Sequence, residues 1–364
     1  MFSGIETQHV YSEDDRMLRD GNITRHVYWY RVSYGEYKKK RGNDEYKCVM
    51  YSEEDRTEHG DRIPPTVQVI GEGSFRGNSS LSSINIPSTV SSLDDNCFLG
   101  CHSLTSITIP SSLCIIGKKC FSGCSVLSSI YIPHSVSVIG SGCFNYCFNL
   151  KNLVIDPDNE HYVVEDGVIF NKEKSVIVQY IRRNREVSYT IPTTVTAIGE
   201  QCFYGCMSLS SVTIPSSVSV LGEECFSGCP LSSITIPNSV SEIGEQCFWG
   251  CPLSSVSIPS SINNIGQYRF YGCSSLSSIS IPSSVTGIGY NCFRECSSLI
   301  SITIPSSVSE IGGECFNTCN SLSSISIPST VSFIGDGCFL RCSSLSSLTI
   351  PSQFQSRINN LFKS

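Results

Sequence analysis

The feature that most constrains this chain is a motif that repeats along most of its length. An Ile-Pro dipeptide recurs every 23 residues, a spacing that is twice shortened to 22. Its prolines are Pro64, Pro87, Pro110, Pro133, Pro192, Pro215, Pro237, Pro259, Pro282, Pro305, Pro328 and Pro351. Self-similarity at this period is typical of a solenoid, in which each unit buries its apolar face only by stacking on the next. The sequence therefore predicts one array of stacked units rather than several globular domains.

Each unit combines a strand pattern with a helical pattern, as residues 210–229 illustrate. Val212-Thr213-Ile214 alternates inward and outward side chains, and Pro215 ends the strand because proline cannot donate to a ladder. Apolar residues then recur at intervals of three and four, the spacing of one helical face. They are Val218, Leu221, Cys225, Phe226 and Cys229. The pattern predicts a right-handed α/β solenoid with parallel strands on its concave side and short helical turns outside.

The consensus of the units is Leu-x-x-Ile-x-Ile-Pro-x-x-Val-x-x-Ile-Gly-x-x-Cys-Phe-x-x-Cys, and it holds from about Ile63 to Pro351. This pattern resembles the BspA-type leucine-rich repeat, which is found in surface proteins of bacteria and in large families of parasitic protists. The resemblance is specific, because the Ile-Pro and Gly-x-x-Cys-Phe-x-x-Cys anchors recur together in nearly every unit. It implies a leucine-rich repeat solenoid, and members of the family are usually discussed as adhesins or ligand-binding proteins.

The chain divides into three regions. They are a polar N-terminal segment at 1–62, the repeats at 63–351 and a C-terminal cap at 352–364, in which Phe354, Ile358, Leu361 and Phe362 follow helical spacing. In the N-terminal segment, 26–34 and 46–51 are rich in β-branched and aromatic residues, and 38–44 between them is typical of a turn. The segment therefore predicts a β-hairpin that caps the first face of the solenoid. A separate binding function for it is the alternative.

The array is interrupted once, by an insertion at about 156–190 that lacks the cysteine motif. The segments 161–170 and 175–181 predict two strands joined by a turn, so that a β-hairpin replaces the outer helix. One interpretation is a variant unit that keeps the stack continuous. The other is a charged epitope built on Arg182, Arg183 and Arg185.

Twenty-one cysteines would ordinarily indicate disulfides or a metal site, but their spacing favours packing. Most form pairs at i and i+4, beside the recurring phenylalanine, where a free cysteine acts as a small buried hydrophobe. One pair supplies only two of the four ligands that zinc needs, and no Lys, Arg or His recurs nearby to activate a thiolate. Disulfides between neighbouring units remain an alternative, because strands lie about 5 Å apart. Arg269 replaces one of these cysteines and is expected to turn outward.

The net charge and the composition of the chain ends predict the class of partner and the cellular compartment. The net charge of −7 argues against nucleic acid, because phosphate binding needs clustered Lys and Arg. The first residues lack the apolar core of a secretory signal, and no stretch is long and apolar enough to insert into a membrane. With unpaired thiols, these features predict a cytoplasmic protein. The alternative is a cell-surface location reached by unconventional export.

Binding is expected at the outward positions of the strands, which form a nearly uncharged row of hydroxyls. The candidate binding residues are Tyr131, Thr213, Thr235, Ser257, Ser280 and Thr303. Such a row can hydrogen-bond a protein partner, and a glycan is a further candidate. The alternative is that Ser and Thr simply keep a solvated sheet polar.

Catalytic patterns are lacking. The six histidines have no repeating partner, and the chain has neither a phosphate-binding loop nor a nucleophile elbow. The sequence therefore predicts a non-enzymatic protein-protein interaction module without cofactor or metal, acting as an intracellular scaffold or recognition protein. The alternative function is that of a surface adhesin that binds host or matrix protein or glycan.

Overall fold

The computed structural model describes residues 7–15, 25–39, 43–181 and 186–363. The chain divides into two compact units, Met1–Val164 and Glu165–Ser364. Both units consist mainly of parallel strands stacked as a solenoid, which is the predicted fold class.

The first unit contains the helices α1 (Tyr34–Lys38) and α2 (Glu53–His59). Its strands are β1 (Thr7–Val10), β2 (Arg25–Ser33), β3 (Glu45–Tyr51), β4 (Val69–Ile70), β5 (Ser83–Asn85), β6 (Ser92–Leu93), β7 (Ser106–Thr108), β8 (Ile115–Ile116), β9 (Ser129–Ile132), β10 (Val138–Ile139), β11 (Asn152–Ile155) and β12 (Tyr162–Glu165). Strands β1, β2, β3, β4, β6, β8 and β10 form one parallel sheet in that order. The longer strands pair separately, β5 with β7 and β9 with β11.

The second unit repeats this arrangement. Its elements are β13 (Val168–Asn171), β14 (Val176–Tyr180), β15 (Ser188–Thr190), β16 (Ala197–Ile198), β17 (Ser211–Thr213), β18 (Val220–Leu221), β19 (Ser233–Thr235), β20 (Glu242–Ile243), β21 (Ser255–Ser257), β22 (Asn264–Ile265), β23 (Ser278–Ser280), β24 (Gly287–Ile288), β25 (Glu310–Ile311), β26 (Ser324–Ser326), β27 (Phe333–Ile334), β28 (Ser347–Thr349) and a 3-10 helix (Ser352–Phe362). The two-residue strands form one set of parallel ladders. The three-residue strands form another set.

In the turns that carry the cysteine motif, the outer part is not a helix. Leu221, which the sequence placed on a helical face, instead belongs to Val220–Leu221, the second short strand of its turn. Single hydrogen-bonded turns follow, in which Cys225 N donates to Gly222 O and Cys229 N to Phe226 O. Glu224 and Gly228 have φ of 51° and 69°, left-handed values that no α-helix tolerates. The spacing of three and four residues therefore comes from successive turns.

The core of each unit is a stack of phenylalanines flanked by cysteines. In the first unit, the rings of Phe75, Phe98, Phe121 and Phe144 follow one another at centroid distances of 5.2, 5.5 and 5.8 Å. In the second unit, the stack runs from Phe203 to Phe339. All of these rings are fully buried. Stacking buries the apolar side of every turn against its neighbour, which is why the units depend on one another for stability.

The predicted N-terminal β-hairpin is wrong. The two predicted strands exist, but β2 and β3 are parallel, with Val27 opposite Glu45 and Val32 opposite Val49. Parallel strands need a crossover connection rather than a tight turn. The crossover begins at once because Ser33 and Glu36 form a capping box that starts α1 where β2 ends. The segment thus extends the short-strand sheet through β3 and β4.

The other two predicted elements are present. Strands β13 and β14 form the antiparallel hairpin of the insertion, and β14 then pairs in parallel with β16, so the ladder of the second unit includes the variant turn. The first predicted strand is shorter than expected, because a turn with left-handed Asp166 and Gly167 interrupts it. At the C-terminus the 3-10 helix buries Phe354 and Leu361. Its carbonyls accept from the last turn, where Phe339 N donates to Leu361 O at 2.8 Å.

Candidate functional site

In the second unit, register brings four of the predicted binding residues into one row, which we call the hydroxyl face. It comprises Thr213, Thr235, Ser257 and Ser280, which are all exposed. Thr235 lies opposite Ser257 and Ser257 opposite Ser280. Strand β17, which carries Thr213, neighbours β19. The residues between them, such as Val256, are buried, so the alternation of each strand directs these hydroxyls outward.

The hydroxyls of this face differ from the serines just before the strands. Ser254 Oγ donates to Ser232 O at 3.1 Å, and Ser277 Oγ donates to Ser254 O at 3.2 Å. These hydroxyls therefore bind the backbone of the preceding turn. Within the described ranges, the side chains of Ser257 and Ser280 make no hydrogen bond to the protein. Each exposed hydroxyl keeps a donor and acceptors available to a partner.

The remaining strand candidates lie in different surroundings. Thr303 is exposed but stands outside a strand, because its segment pairs only through the bridge between Ser301 and Ser324. Tyr131 belongs to the first unit, on β9, and half of its surface is exposed. It lies opposite Val154, which is also exposed. Tyr131 therefore belongs to the first unit, whereas the other five strand candidates belong to the second.

Tyr131 is held by a small polar network. Its hydroxyl donates to Asp156 Oδ2, and His134 Nδ1 lies 3.7 Å from the same oxygen. The hydrogen bond to the carboxylate raises the pKa of Tyr131 and lowers that of Asp156. The backbone N–H of Asp158 also donates to Asp156, at 3.0 Å. An exposed aromatic ring is therefore fixed in orientation, which reduces the conformational entropy lost when a partner covers it.

The predicted charged epitope, Arg182, Arg183 and Arg185, lies outside the described residues. In the described ranges, no group of three or more His, Cys, Asp or Glu side chains is arranged to hold a metal ion. No helix in those ranges is long and apolar enough to cross a membrane.

All cysteines are free thiols, and nineteen of them are buried, leaving Cys48 half-buried and Cys114 exposed. The second thiol of a pair has a specific partner. Cys124 donates to Phe98 O at 3.2 Å and Cys229 to Phe203 O at 3.0 Å, and the same bond recurs in the other turns. The phenylalanine carbonyl already accepts a backbone N–H within its own turn. The thiol therefore satisfies the second lone pair of a buried carbonyl.

Burial makes these thiols poor nucleophiles. It raises the pKa of Cys101 and Cys342 to about 11 and that of Cys292 to about 12. Equivalent thiols of neighbouring turns lie close together, since Cys225 Sγ and Cys247 Sγ are 3.4 Å apart. A reactive cysteine instead needs a lowered pKa and access to solvent. The cysteines of successive turns therefore form a ladder of buried packing residues.

Arg269 does not turn outward as predicted. It is 7% exposed, and its guanidinium donates to the carbonyls of Ile243, Gly244 and Asn264. In the first unit, Cys97 Sγ lies within hydrogen-bond distance of the carbonyls of Ile70 and Gly71, which are equivalent to those of Ile243 and Gly244, and of Asp94 O. Arginine can occupy the cysteine position because it reaches two of the same acceptors. Burial lowers its pKa.

Comparison with known proteins agrees with this architecture. The family model described as the BspA type leucine rich repeat region matches six copies, over residues 61–172, 183–252 and 241–364. No curated protein matches the chain.

Solved structures of bacterial proteins share the fold. A leucine-rich repeat protein from Eubacterium ventriosum is 24% identical, with a TM-score of 0.69 over 93% of this chain and 87% of that one. A leucine-rich cell surface protein from Faecalibacterium prausnitzii is 24% identical, with a TM-score of 0.50 over 94% and 76%. A leucine-rich repeat protein from Bacteroides ovatus is 28% identical, with a TM-score of 0.47 over 98% and 90%. At these identities, the first two show a shared fold only.

Proposed function

This chain belongs to the BspA-type leucine-rich repeat family, and on that premise we propose that it is a non-enzymatic module whose hydroxyl face binds a protein partner. Leucine-rich repeat proteins are typically binding modules and generally bind proteins. The observation that carries the proposal is the row of exposed hydroxyls at Thr235, Ser257 and Ser280, aligned by strand register.

A protein is the partner that this surface fits best. Neighbouring strands lie about 4.8 Å apart, so the hydroxyls offer donors and acceptors at regular short intervals to polar side chains or an extended backbone. Neutral hydroxyls lose less hydration on burial than charges do. The first unit by itself presents Tyr131, an exposed aromatic side chain of the kind that dominates protein interfaces, already oriented by Asp156.

The test is capture from a lysate of the cells that produce the protein. We expect Thr235, Ser257 and Ser280, replaced together by lysine, to abolish capture of the partner, because three long charged side chains block the face. Melting temperature should stay unchanged, since all three are exposed.

The matched control replaces Ser216, Ser260 and Ser283 by lysine. These serines are exposed, belong to the same unit and follow the prolines rather than lying on the strands. The control adds the same charge and should capture the partner as the unmodified protein does. Equal loss of capture in both variants would show that the added charge causes the effect. Equal capture by the unmodified protein and both variants would show that the binding site lies elsewhere. If the captured molecule is a glycan rather than a protein, the proposed partner class is wrong.

We further propose that the module works in a reducing compartment, as an intracellular scaffold or recognition protein. The support is the set of free thiols, because closely spaced cysteines persist unpaired where thiols are kept reduced. Antibody staining of cells before and after permeabilisation tests this. Signal only after permeabilisation is expected, whereas signal on intact cells would favour the surface adhesin instead.

A further inference from the structure

Four aromatic side chains of the second unit meet on the turn segments, and we call them the aromatic cluster: Trp249, Tyr268, Tyr271 and Tyr290. The ring of Trp249 meets that of Tyr271 edge to face at 5.4 Å and 74°. Tyr268 contacts Tyr271 at 6.0 Å and Tyr290 at 5.6 Å. Trp249 and Tyr290 are 39% and 38% exposed. The cluster is a continuous aromatic surface spread over three turns.

The repeat itself does not require these rings. Trp249 and Tyr271 follow the buried phenylalanine of their turns, whereas the preceding turn carries Ser227 at this position and the two following turns carry Arg294 and Asn317. Tyr268 has a left-handed backbone with φ of 54°, a conformation that is costly for a bulky residue. Because the neighbouring turns fold with the polar residues Ser227, Arg294 or Asn317 after their phenylalanine, packing alone does not explain the aromatic cluster.

The charges around the aromatic cluster favour a cation. Tyr271 donates to Glu295 Oε1 at 2.7 Å and Tyr290 to Glu314 Oε1 at 3.3 Å, so two carboxylates border the rings. The guanidinium of Arg294 lies 5.8 Å from the ring centre of Tyr271 and donates to Glu314. One ring thus already holds a guanidinium of this chain. The faces of aromatic rings are negative, and Trp249 presents the best such face for a further cation.

We infer that the aromatic cluster is a second binding surface, which docks a basic segment of a protein through arginine side chains stacked on Trp249 and its neighbouring tyrosines. Tryptophan, tyrosine and arginine are the residues that carry most of the binding energy at protein interfaces. Carboxylates at the border attract a cationic segment and repel an acidic one. This surface lies on the turns and not on the hydroxyl face, so the inference does not depend on the proposed function.

The test uses a fluorescein-labelled oligoarginine peptide as the probe and measures its fluorescence anisotropy with the full chain. We expect Trp249→Ser combined with Tyr271→Ser to weaken binding by about fivefold or more, because the variant loses the ring of Trp249 that stacks a peptide arginine and the ring of Tyr271 that packs against it. Serine is the residue of a neighbouring turn at this position, so the fold should be retained, as circular dichroism can verify. Lysine gives weaker stacking than arginine, so an oligolysine peptide should bind less tightly.

Tyr204→Ser is the matched control, because Tyr204 occupies the same position of an earlier turn outside the aromatic cluster. It should bind the oligoarginine peptide as the unmodified chain does. All three proteins keep the same net charge, so general attraction to an acidic chain would affect them equally. Equal affinity of the double variant and the unmodified chain, or equal binding of oligolysine and oligoarginine, would overturn the inference.

Discussion

Alkaline pH should unfold this protein because its thiols are buried. Burial raises the pKa of fourteen ladder cysteines above the ordinary value of 9.0. A thiol that ionises only in the unfolded chain contributes stability below pH 9 and loses it as the pH rises. The loss is about 0.4 kcal/mol per thiol at pH 9 and about 1.4 kcal/mol at pH 10.

For all fourteen thiols, the sum is about 6 kcal/mol at pH 9 and about 20 kcal/mol at pH 10. A typical domain is stable by only about 5–15 kcal/mol, so the fold should be lost between these values. The assay records far-ultraviolet circular dichroism and thiolate absorbance together during a pH titration in the presence of a reductant. Both signals should change at the same pH. Thiolate absorbance that rises near pH 9 while the circular dichroism stays native would refute the reasoning.

Three substitutions test other parts of the fold by thermal or urea unfolding. Arg269→Cys should raise the free energy of unfolding by about 1 kcal/mol, because a neutral thiol reaches the same carbonyls without burying a charge. A less stable variant would mean that the hydrogen bonds of the guanidinium contribute more than the desolvation of its charge costs. Asp55→Ala should lower it by about 3 kcal/mol, because Tyr34 N, Gly35 N and Ser52 N lose their acceptor; exposed Glu58→Ala is the control. Thr318→Gly should raise it by about 0.5–1 kcal/mol by relieving a φ of 64° at a β-branched residue, and no gain would show that this backbone is unstrained.

Much of the architecture could be predicted because the repeat fixes it. Ile-Pro spacing determines which strands align, so the pairing of Thr235 with Ser257 follows from the period of 22 residues. Alternation predicts which residues are exposed, and burial of the cysteines follows from their place beside Phe226.

What escaped prediction depends on backbone detail or on contacts between turns. Period alone does not distinguish a helix from single turns closed by left-handed residues such as Glu224. The segments that form β2 and β3 have the sequence pattern of a hairpin, but the capping box at Ser33 begins a helix, and the chain crosses over so that the two strands are parallel. The aromatic cluster was missed because Trp249 and Tyr290 lie in different turns and are connected only through the rings of Tyr271 and Tyr268 in the turn between them. A comparison of each position with its equivalents in other turns would have revealed it.

The most direct measurement of the proposed function is site-specific photocrosslinking in the cells that produce the protein. A photoreactive amino acid at Ser257 would lie on the hydroxyl face, and one at Ser260 would lie three residues away, also exposed but off the strand. A crosslinked protein adduct from position 257 and none from position 260 is the predicted result. An adduct from position 260 alone, or none from position 257, would contradict binding at the hydroxyl face.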